Sequence, residues 1–424
     1  MTTPTSPTSP TSPVDRALEE PTESVPRSWV LWLVLASIGL WSGFFGPIQV
    51  LLAQQSEAIS PDHKAAVLSL VTGVGALVST VLNPVWGAFS DRTTLRSGRR
   101  RPWVLGGAAG GAVAMLLLSG ADSVWQLVLA WALAQASLNA MLAAVTATVP
   151  DQVPVGERGV VGGVLAIAQT AGVIVGSGIA AVTGSIAAGY LTIAVVLVVT
   201  TLPYAVSSRD IPLPRELRPE FRWGPFLRGF YVSPRQHPDF GWAWITRFLM
   251  NLGNAILILY LLYYLKDEVN LSDDAAEDAV FTLTAVYGLA TVVTAFVGGW
   301  WSDRIGKRKP LVIWSGLIAA AALMTFAFVH TMPAAYVGAV VLGIGFGAYT
   351  AVDFALITQV LPGAADRAKD LGVINIANAL PQVLAPVLAA AVLGVGLGYP
   401  GLYLLAAAVS ILGSILVRRI RSVD

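Results

Sequence analysis

No cysteine occurs in the 424 residues of this chain. Disulfides, thiol nucleophiles and cysteine-bearing metal sites are therefore excluded. Histidine is almost as scarce: the three present, His63, His237 and His330, fall in or beside loops and offer no imidazole cage. Charged side chains make up 12% of the chain, against about 25% in an ordinary soluble protein. The sequence has no HExxH pattern, no pair of carboxylates within one apolar run and no Gly-rich phosphate loop ahead of a Lys. Intramembrane proteolysis and ATP-driven chemistry each need one of these, so an enzyme is not expected, and neither is a metal or other cofactor.

What is abundant is apolar. Hydrophobic residues reach 55%, with 41 glycines, 25 prolines and 13 tryptophans, a mixture suited to close-packed, kinked helices with aromatic anchors at lipid headgroups. Apolar runs long enough to cross a bilayer as helix fall near 29–53, 65–90, 103–119, 123–149, 158–183 and 184–206, then 239–265, 279–301, 310–330, 332–361, 370–396 and 400–417. The predicted fold class is an all-α integral membrane protein of twelve transmembrane helices. Residues 1–27, a Thr/Ser/Pro repeat and an acidic stretch, read as a disordered cytoplasmic tail without the apolar core of a signal peptide. Residues 28–206 and 239–424 each form a six-helix bundle, the second ending in a short basic tail. The interval 207–238, with six prolines and charges of both signs, is the linker between them.

Loops rich in Lys and Arg remain on the cytoplasmic side. With the N-terminus inside, 23 of the 26 Lys and Arg residues lie on that side; Lys64 and Lys266 lie outside and Arg247 lies within the membrane. Both termini are expected in the cytoplasm, and a bacterial inner membrane fits the compact loops. The lipid bilayer is the one extended partner implied; no nucleic acid and no obligate protein partner is.

A repeat relates the halves. GAFSDRTTLRSGRRRP at 87–102 and GWWSDRIGKRKP at 299–310 each join a second span to a third, with Gly, Ser-Asp-Arg, Gly, a basic cluster and Pro in the same order. Asp91 and Asp303 sit at helix ends, where each can hold a neighbouring arginine or a facing helix N-terminus, while Gly87 and Gly299 permit close helix approach. Two copies at matching positions favour a gate over loops that are merely positive. The gate residues are Gly87, Asp91, Arg92, Gly98, Arg99 and Arg100 in one copy and Gly299, Asp303, Arg304, Gly306, Lys307 and Arg308 in the other.

These paired loops resemble those of the major facilitator superfamily. The longer first copy, Asp91-Arg92-Thr93, then Arg96, then Gly98 to Pro102, resembles the branch of glycoside-pentoside-hexuronide cation symporters and sucrose transporters. The resemblance spans residues 29 to 417. It implies two pseudo-symmetric bundles, alternating access, and uptake of a disaccharide or glycoside coupled to a proton or sodium ion. GPIQVLL at 46–52 resembles the segment of the sucrose transporters that sets a Gln among apolar residues, which puts Gln49 forward as a sugar-facing amide. There is one departure: Thr146 stands where those transporters carry an arginine, five residues before the aspartate matched here by Asp151. The internal repeat pairs Thr146 with Asp353, so the second half has a charge of the opposite sign there.

Arg247 and Asp353 are the charged groups placed well inside predicted helices. Charge at membrane depth costs on the order of 2.5–3.5 kcal/mol, so such groups face a cavity or each other. Counted at about 1.5 Å per residue, both lie roughly 12 Å below the cytoplasmic helix ends and can pair. Asp353 is then a coupling carboxylate, or the pair is a static bridge; an Arg partner would keep the carboxyl acidic and make it a poor proton carrier. Gln135, Asn139, Gln169, Asn251, Asn254, Asn375, Asn378 and Gln382 are further intramembrane amides able to bond a polyol or a neighbouring helix, and Tyr349 with Trp41 offers an aromatic face. The function expected is secondary transport of a small solute, read as cation-coupled sugar uptake. The rival within transporters is an exporter of amphipathic drugs or lipids, which the Gly/Ala-rich apolar spans also fit. A channel would need neither paired gates nor related halves.

Overall fold

The computed structural model describes residues 21–154, 157–207, 210, 212–218, 223–224, 235–305, 308–360 and 367–421; within them, the side chains of a few residues, mainly near Trp300 and around 354–375, are not described. Helix is the only regular secondary structure among the described residues. Twelve helices are long and apolar enough to span a membrane. They are α1 (Arg27–Ile59), α2 (Lys64–Asp91), α3 (Arg101–Ser119), α4 (Val124–Gln152), α5 (Arg158–Val182) and α6 (Ile186–Ser207). The second set is α7 (Pro238–Asp267), α8 (Asp273–Ile305), α9 (Lys309–Phe328), α10 (Met332–Val360), α11 (Arg367–Gly394) and α12 (Gly398–Leu416).

Local chemistry sets the helix ends. The last prolines of the two repeated loops, Pro102 and Pro310, occupy the first turns of α3 and α9, where a missing N–H costs nothing and a fixed φ starts the helix. α1 runs six residues past its predicted end. Its polar C-terminal turn is held by Gln55, whose Nε2 donates to the carbonyls of Leu118 and Ala121 at 2.8 Å each. α8 begins six residues early, because Asp273 and Asp274 fill its first turn and stabilise the positive end of the helix dipole. Inside α1, residues Pro47–Leu51 form a π-helical turn, a widening of the kind often found at functional positions.

The two sets of six pack alike. α1 lies on α5 and α6 as α7 lies on α11 and α12; α3 contacts α4 and α6 as α9 contacts α10 and α12; α2 packs on α4 as α8 packs on α10. The molecule is thus two pseudo-symmetric six-helix bundles, joined through α2 against α11 and α5 against α8, a pair of contacts that the same symmetry exchanges. α4 and α7 are the most enclosed spans, 67% and 72% buried over their apolar windows, whereas α8 is 22% buried. Large apolar side chains stand exposed along the spans, among them Leu129, Val195, Leu289, Phe296 and Val337. So much exposed apolar surface has a favourable solvent only in lipid. The end bearing both termini is called the basic end below and the opposite one the far end.

Candidate functional site

At the basic end, the first repeated loop is a charge cluster built around Arg100. This guanidinium is 3% exposed. Its Nη2 reaches Asp91 Oδ1 at the end of α2 at 2.5 Å, its Nε reaches Asp151 Oδ2 at the end of α4 at 2.7 Å, and its Nη1 donates to Ser90 at 2.9 Å. Arg99 Nη2 adds a second contact to Asp151 at 2.6 Å, and Arg92 donates to the Ala88 carbonyl at 2.5 Å. One buried cation therefore ties together the ends of α2, α3 and α4.

An unexpected partner comes from after α6. Asp210 Oδ2 accepts the backbone N–H of Arg101 at 2.7 Å and also that of Arg100, so it caps the N-terminus of α3. A Cβ on Gly98 would lie 2.4 Å from Asp210, and φ at Gly98 is +107°. Glycine is required there on both counts. A Cβ on Gly87 would meet nothing within 4 Å among the described residues. Burial pushes the Asp210 carboxyl above its ordinary value of 3.8, against the two backbone N–H groups and Arg100, which pull it down. A raised folded-state value means that the native state binds more protons than the unfolded chain between 3.8 and that value, so stability falls as pH rises through this window. Wild type is expected to gain stability relative to Asp210→Asn on acidification through that window. Asp210→Ala, which removes the cap, should cost about 0.5–2 kcal/mol at neutral pH; thermal melts of the three proteins between pH 4 and 7 measure both effects.

The second copy of the loop is less fully described. Gly306 and Lys307, the surroundings of Gly299 and the side chain of Asp303 lie outside what is described. Arg304 is exposed on the last turn of α8, and Arg308 precedes α9 as Arg100 precedes α3.

Within the second bundle, Arg247 of α7 and Asp353 of α10 meet. Arg247 Nη1 lies 2.5 Å from Asp353 Oδ2, with the side chains 16% and 9% exposed. Tyr349 donates to Asp353 Oδ1 at 2.8 Å. Asn378 Oδ1 on α11 accepts Arg247 Nε at 2.6 Å and Asn251 Nδ2 at 3.2 Å. Five of the predicted residues, Arg247, Asn251, Tyr349, Asp353 and Asn378, thus form one network across α7, α10 and α11. In the first bundle the equivalent Thr146 donates to carbonyls of its own helix, Leu142 and Ala143, at 2.8 and 3.1 Å.

The other amides divide. Asn139 Oδ1 accepts Ser79 at 3.0 Å and Asn83 at 3.1 Å, while its Nδ2 donates to Gln135, so Gln135 and Asn139 tie α4 to α2. Asn254 Oδ1 accepts the Tyr287 hydroxyl at 3.1 Å, tying α7 to α8. Gln169 and Gln382 are exposed on α5 and α11, away from these networks, and the side chain of Asn375 lies outside the described residues. Gln49, on the π-turn of α1, is 3% exposed and lines a small cavity of about 30 Å³ with Leu257, Leu261, Thr284 and Tyr287 among others. Trp41 packs on Phe44 and Phe45 of its own helix. Among the described residues no group of three His, Asp or Glu is placed to hold a metal ion.

The far end carries a cluster that was not anticipated. Lys64 of the first bundle lies 2.9 Å from Asp267 of the second, and Lys266 of the second lies 2.6 Å from Glu57 of the first. Glu57 also holds Lys64 at 2.9 Å, Lys266 also holds Asp273 at 2.8 Å, and Tyr399 donates to Asp267 at 3.0 Å. Gln54 donates to Glu277, and Tyr263 donates to the Ala53 carbonyl at 2.8 Å. Ser69 and Tyr260 hydroxyls sit 2.5 Å apart just below. The bundles are thereby fastened together at this end. The available signal was that just two lysines lie at an otherwise acidic end, one in each half.

The model of the Major Facilitator Superfamily matches residues 30–284 and 243–424, which together take in almost the whole chain. The chain belongs to the Major Facilitator Superfamily. Multidrug resistance protein MdtG of Salmonella paratyphi C is 24% identical over 328 residues, 72% of this chain and 75% of that protein. Its namesake from Proteus mirabilis is 26% identical over 267 residues, 60% of this chain and 62% of that one. An uncharacterized MFS-type transporter of Schizosaccharomyces pombe is 32% identical over 137 residues, 31% of this chain. The chain spans 30% and 62% of the lengths of the yeast and Proteus relatives. A crystal structure of nucleoside transporter NupG superposes with a TM-score of 0.74 at 12% identity, over 92% of this chain and 99% of that one, which establishes the shared fold.

Proposed function

We propose that this major facilitator is a secondary transporter of a small amphipathic solute, working by alternating access between the far-end-closed arrangement and one closed at the basic end. One observation carries the choice of solute: Asn139, Asn251, Asn254 and Asn378, four of the amides expected to meet a polyol, are bound to neighbouring helices, and the cavity left under the far-end closure is lined chiefly by leucine, isoleucine, phenylalanine and alanine. A sugar's hydroxyls would lose water there without replacement bonds. The names of the two MdtG relatives point the same way and favour export. In this reading residues 28–206 and 239–424 are the moving bodies, 207–238 is the cytoplasmic linker, and residues 1–27 are a tail of which 1–20 lie outside the described residues. Both termini are cytoplasmic and the membrane is a bacterial inner one, since the basic loops favour that side. The test is expression in a drug-sensitive host: raised tolerance to an uncharged amphipath such as chloramphenicol, with lowered accumulation, is expected. Unchanged accumulation across a panel of such compounds would sink the reading.

The second reading is cation-coupled uptake of a sugar or glycoside. It is favoured by the first gate loop's likeness to the sucrose transporter branch and by the Asp353 carboxylate held between Tyr349 and Arg247, a place where a proton or sodium ion can be exchanged. Gradient-stimulated uptake of a labelled disaccharide into proteoliposomes would transfer the weight to it.

Either reading requires the far end to open. Glu57 bridges both lysines, and each partly exposed pair contributes about 0.2–1 kcal/mol. Of these two, only the Lys266 pair crosses between the bundles, so Glu57→Gln is expected to raise the ratio of far-end-open to closed molecules by roughly 1.4-fold to fivefold at low salt, and less at high salt. Distances between spin labels on Asp62→Cys and Asp274→Cys, introduced into a chain with no native cysteine, measure that ratio.

A further inference from the structure

The chain after α12 does not trail away from the second bundle. Val417–Arg419 form a 3₁₀ turn, and Val417 with Ile420 is buried in one apolar cluster with Phe240 of α7 and Val312 of α9. The Arg421 N–H donates to Asp239 Oδ1 at 3.0 Å, which ties the segment to the first turn of α7. Arg418, Arg419 and Arg421 are left outside. All three are exposed, and none of their guanidiniums has an ion-pair or hydrogen-bond partner among the described residues. Lys309, one turn before Val312 at the start of α9, adds a fourth cation to this corner of the basic end. Because two buried side chains seat the turn, the arginines are presented at a fixed height, and an anion that binds them has little chain to order.

The first bundle fills the same place with the opposite charge. There the chain after α6 brings Asp210 to the start of α3, where its carboxylate accepts the N–H groups of Arg100 and Arg101. The chain after α12 brings three arginines to the start of α9. One corner is neutralised from within the molecule, and the other stays cationic.

What lies beside the arginines selects the kind of anion. α9 and α12 meet with Gly316 against Ser414, and within a turn of that contact both helices expose large apolar side chains. Trp314 of α9 is 64% exposed, and Leu412 and Ile415 of α12 are 48% and 49% exposed. Trp314 lies about 7.5 Å deeper than Lys309 along its helix, a depth that suits an aromatic anchor at the membrane interface. An apolar wall that leads up to unpaired guanidiniums fits a molecule with acyl chains below and a phosphate above. A free phosphate would use the cations and leave the wall bare.

We propose that the corner of α9 and α12 binds an anionic phospholipid, with the headgroup phosphate held by Arg418, Arg419 and Arg421 and the acyl chains laid against Leu412, Ile415 and Trp314. Guanidinium matches a phosphate in two parallel hydrogen bonds, so three arginines can grip one headgroup from several sides. The site is independent of which solute is carried and of the direction of transport. It belongs to the folded second bundle, so the lipid stabilises that bundle by mass action.

The test uses the full chain in phosphatidylcholine nanodiscs, with a fluorophore on Leu317→Cys, an exposed position one turn deeper than Trp314 in a chain that has no other cysteine. The quenchers are phosphatidylglycerol and phosphatidylcholine with identical acyl chains, each carrying a nitroxide on the chain and added as a minor component. Phosphatidylglycerol is expected to quench about tenfold more effectively per molecule, since each arginine near the surface strengthens binding of an anionic lipid severalfold. Arg418→Gln, Arg419→Gln and Arg421→Gln combined should bring the two lipids level. The control is Ala109→Cys, exposed at the matching position of α3, where no preference is expected. Equal quenching by both lipids at Leu317→Cys, or a preference that survives the triple substitution, overturns the proposal. So does an equal preference at Ala109→Cys, which would mark a general attraction of the basic end. A preference erased by inorganic phosphate at constant ionic strength overturns it too and gives the arginines to a free anion.

Discussion

An Asp353→Ala variant is expected to lose about 3–5 kcal/mol of stability, because it strands Arg247 inside the second bundle with no counter-charge. The magnitude comes from the uncompensated cation rather than from the pair itself. Replacing both partners, as Arg247→Met with Asp353→Leu, should therefore recover most of the loss, since an ion pair taken out of water is worth little more than well-packed apolar groups of similar size. Thermal melts in one detergent, compared among wild type, the single and the double variant, measure the three values. Equal losses in the single and double variants would mean that Tyr349 and Asn378 hold the bundle through these residues in some other way. Transport separates structure from coupling. Asp353→Asn keeps the shape and the Tyr349 contact, so if Asp353 carries the coupling ion the variant still exchanges solute across the membrane but no longer responds to an imposed gradient. Intact gradient dependence would leave a structural bridge and nothing more.

The second large effect belongs to a site without charge. A Cβ on Gly176 of α5 would fall 2.8 Å from the Gly46 nitrogen and 2.9 Å from the Ser42 carbonyl oxygen of α1. Those are backbone atoms of a facing helix, so no rotamer change relieves the clash and the two helices must part. Gly176→Val is expected to cost about 3 kcal/mol, at the upper end for overpacking, and to reduce the yield of folded protein sharply. Gly163 on the same helix is the control, because a Cβ there meets nothing within 4 Å. Gly163→Val should behave as wild type in size-exclusion chromatography and in melting temperature.

The spans were legible because membrane crossing is a one-dimensional requirement: about 20 apolar residues bounded by charge can be read along the chain with no knowledge of partners. The meeting of Arg247 and Asp353 was legible for a similar reason, since depth follows from counting residues from a helix end and two opposite charges at one depth have strong cause to pair. The amides were not legible. Asn139 lies 56 residues from Asn83, and Asn378 lies 127 from Asn251, so sequence reveals a polar group at membrane depth but not whether a helix or a cavity meets it. The far-end cluster was half visible. Lys64 and Lys266 stood out by sign, but that each reaches a carboxylate of the other bundle depends on how the bundles lean together. Among the described residues the motif's tight approach is at Gly98, against Asp210, a residue that lies outside the motif.

That outside residue carries a consequence for how the protein is made. The N-terminus of α3 is capped by Asp210, more than a hundred residues downstream, so during synthesis the first amide groups of α3 have only water as partner until α6 and the start of the linker have left the ribosome. The first bundle is complete at residue 210 and not at the end of its sixth helix. A fragment ending at 206 should accordingly be degraded faster in cells than one ending at 218, although both contain the same six spans.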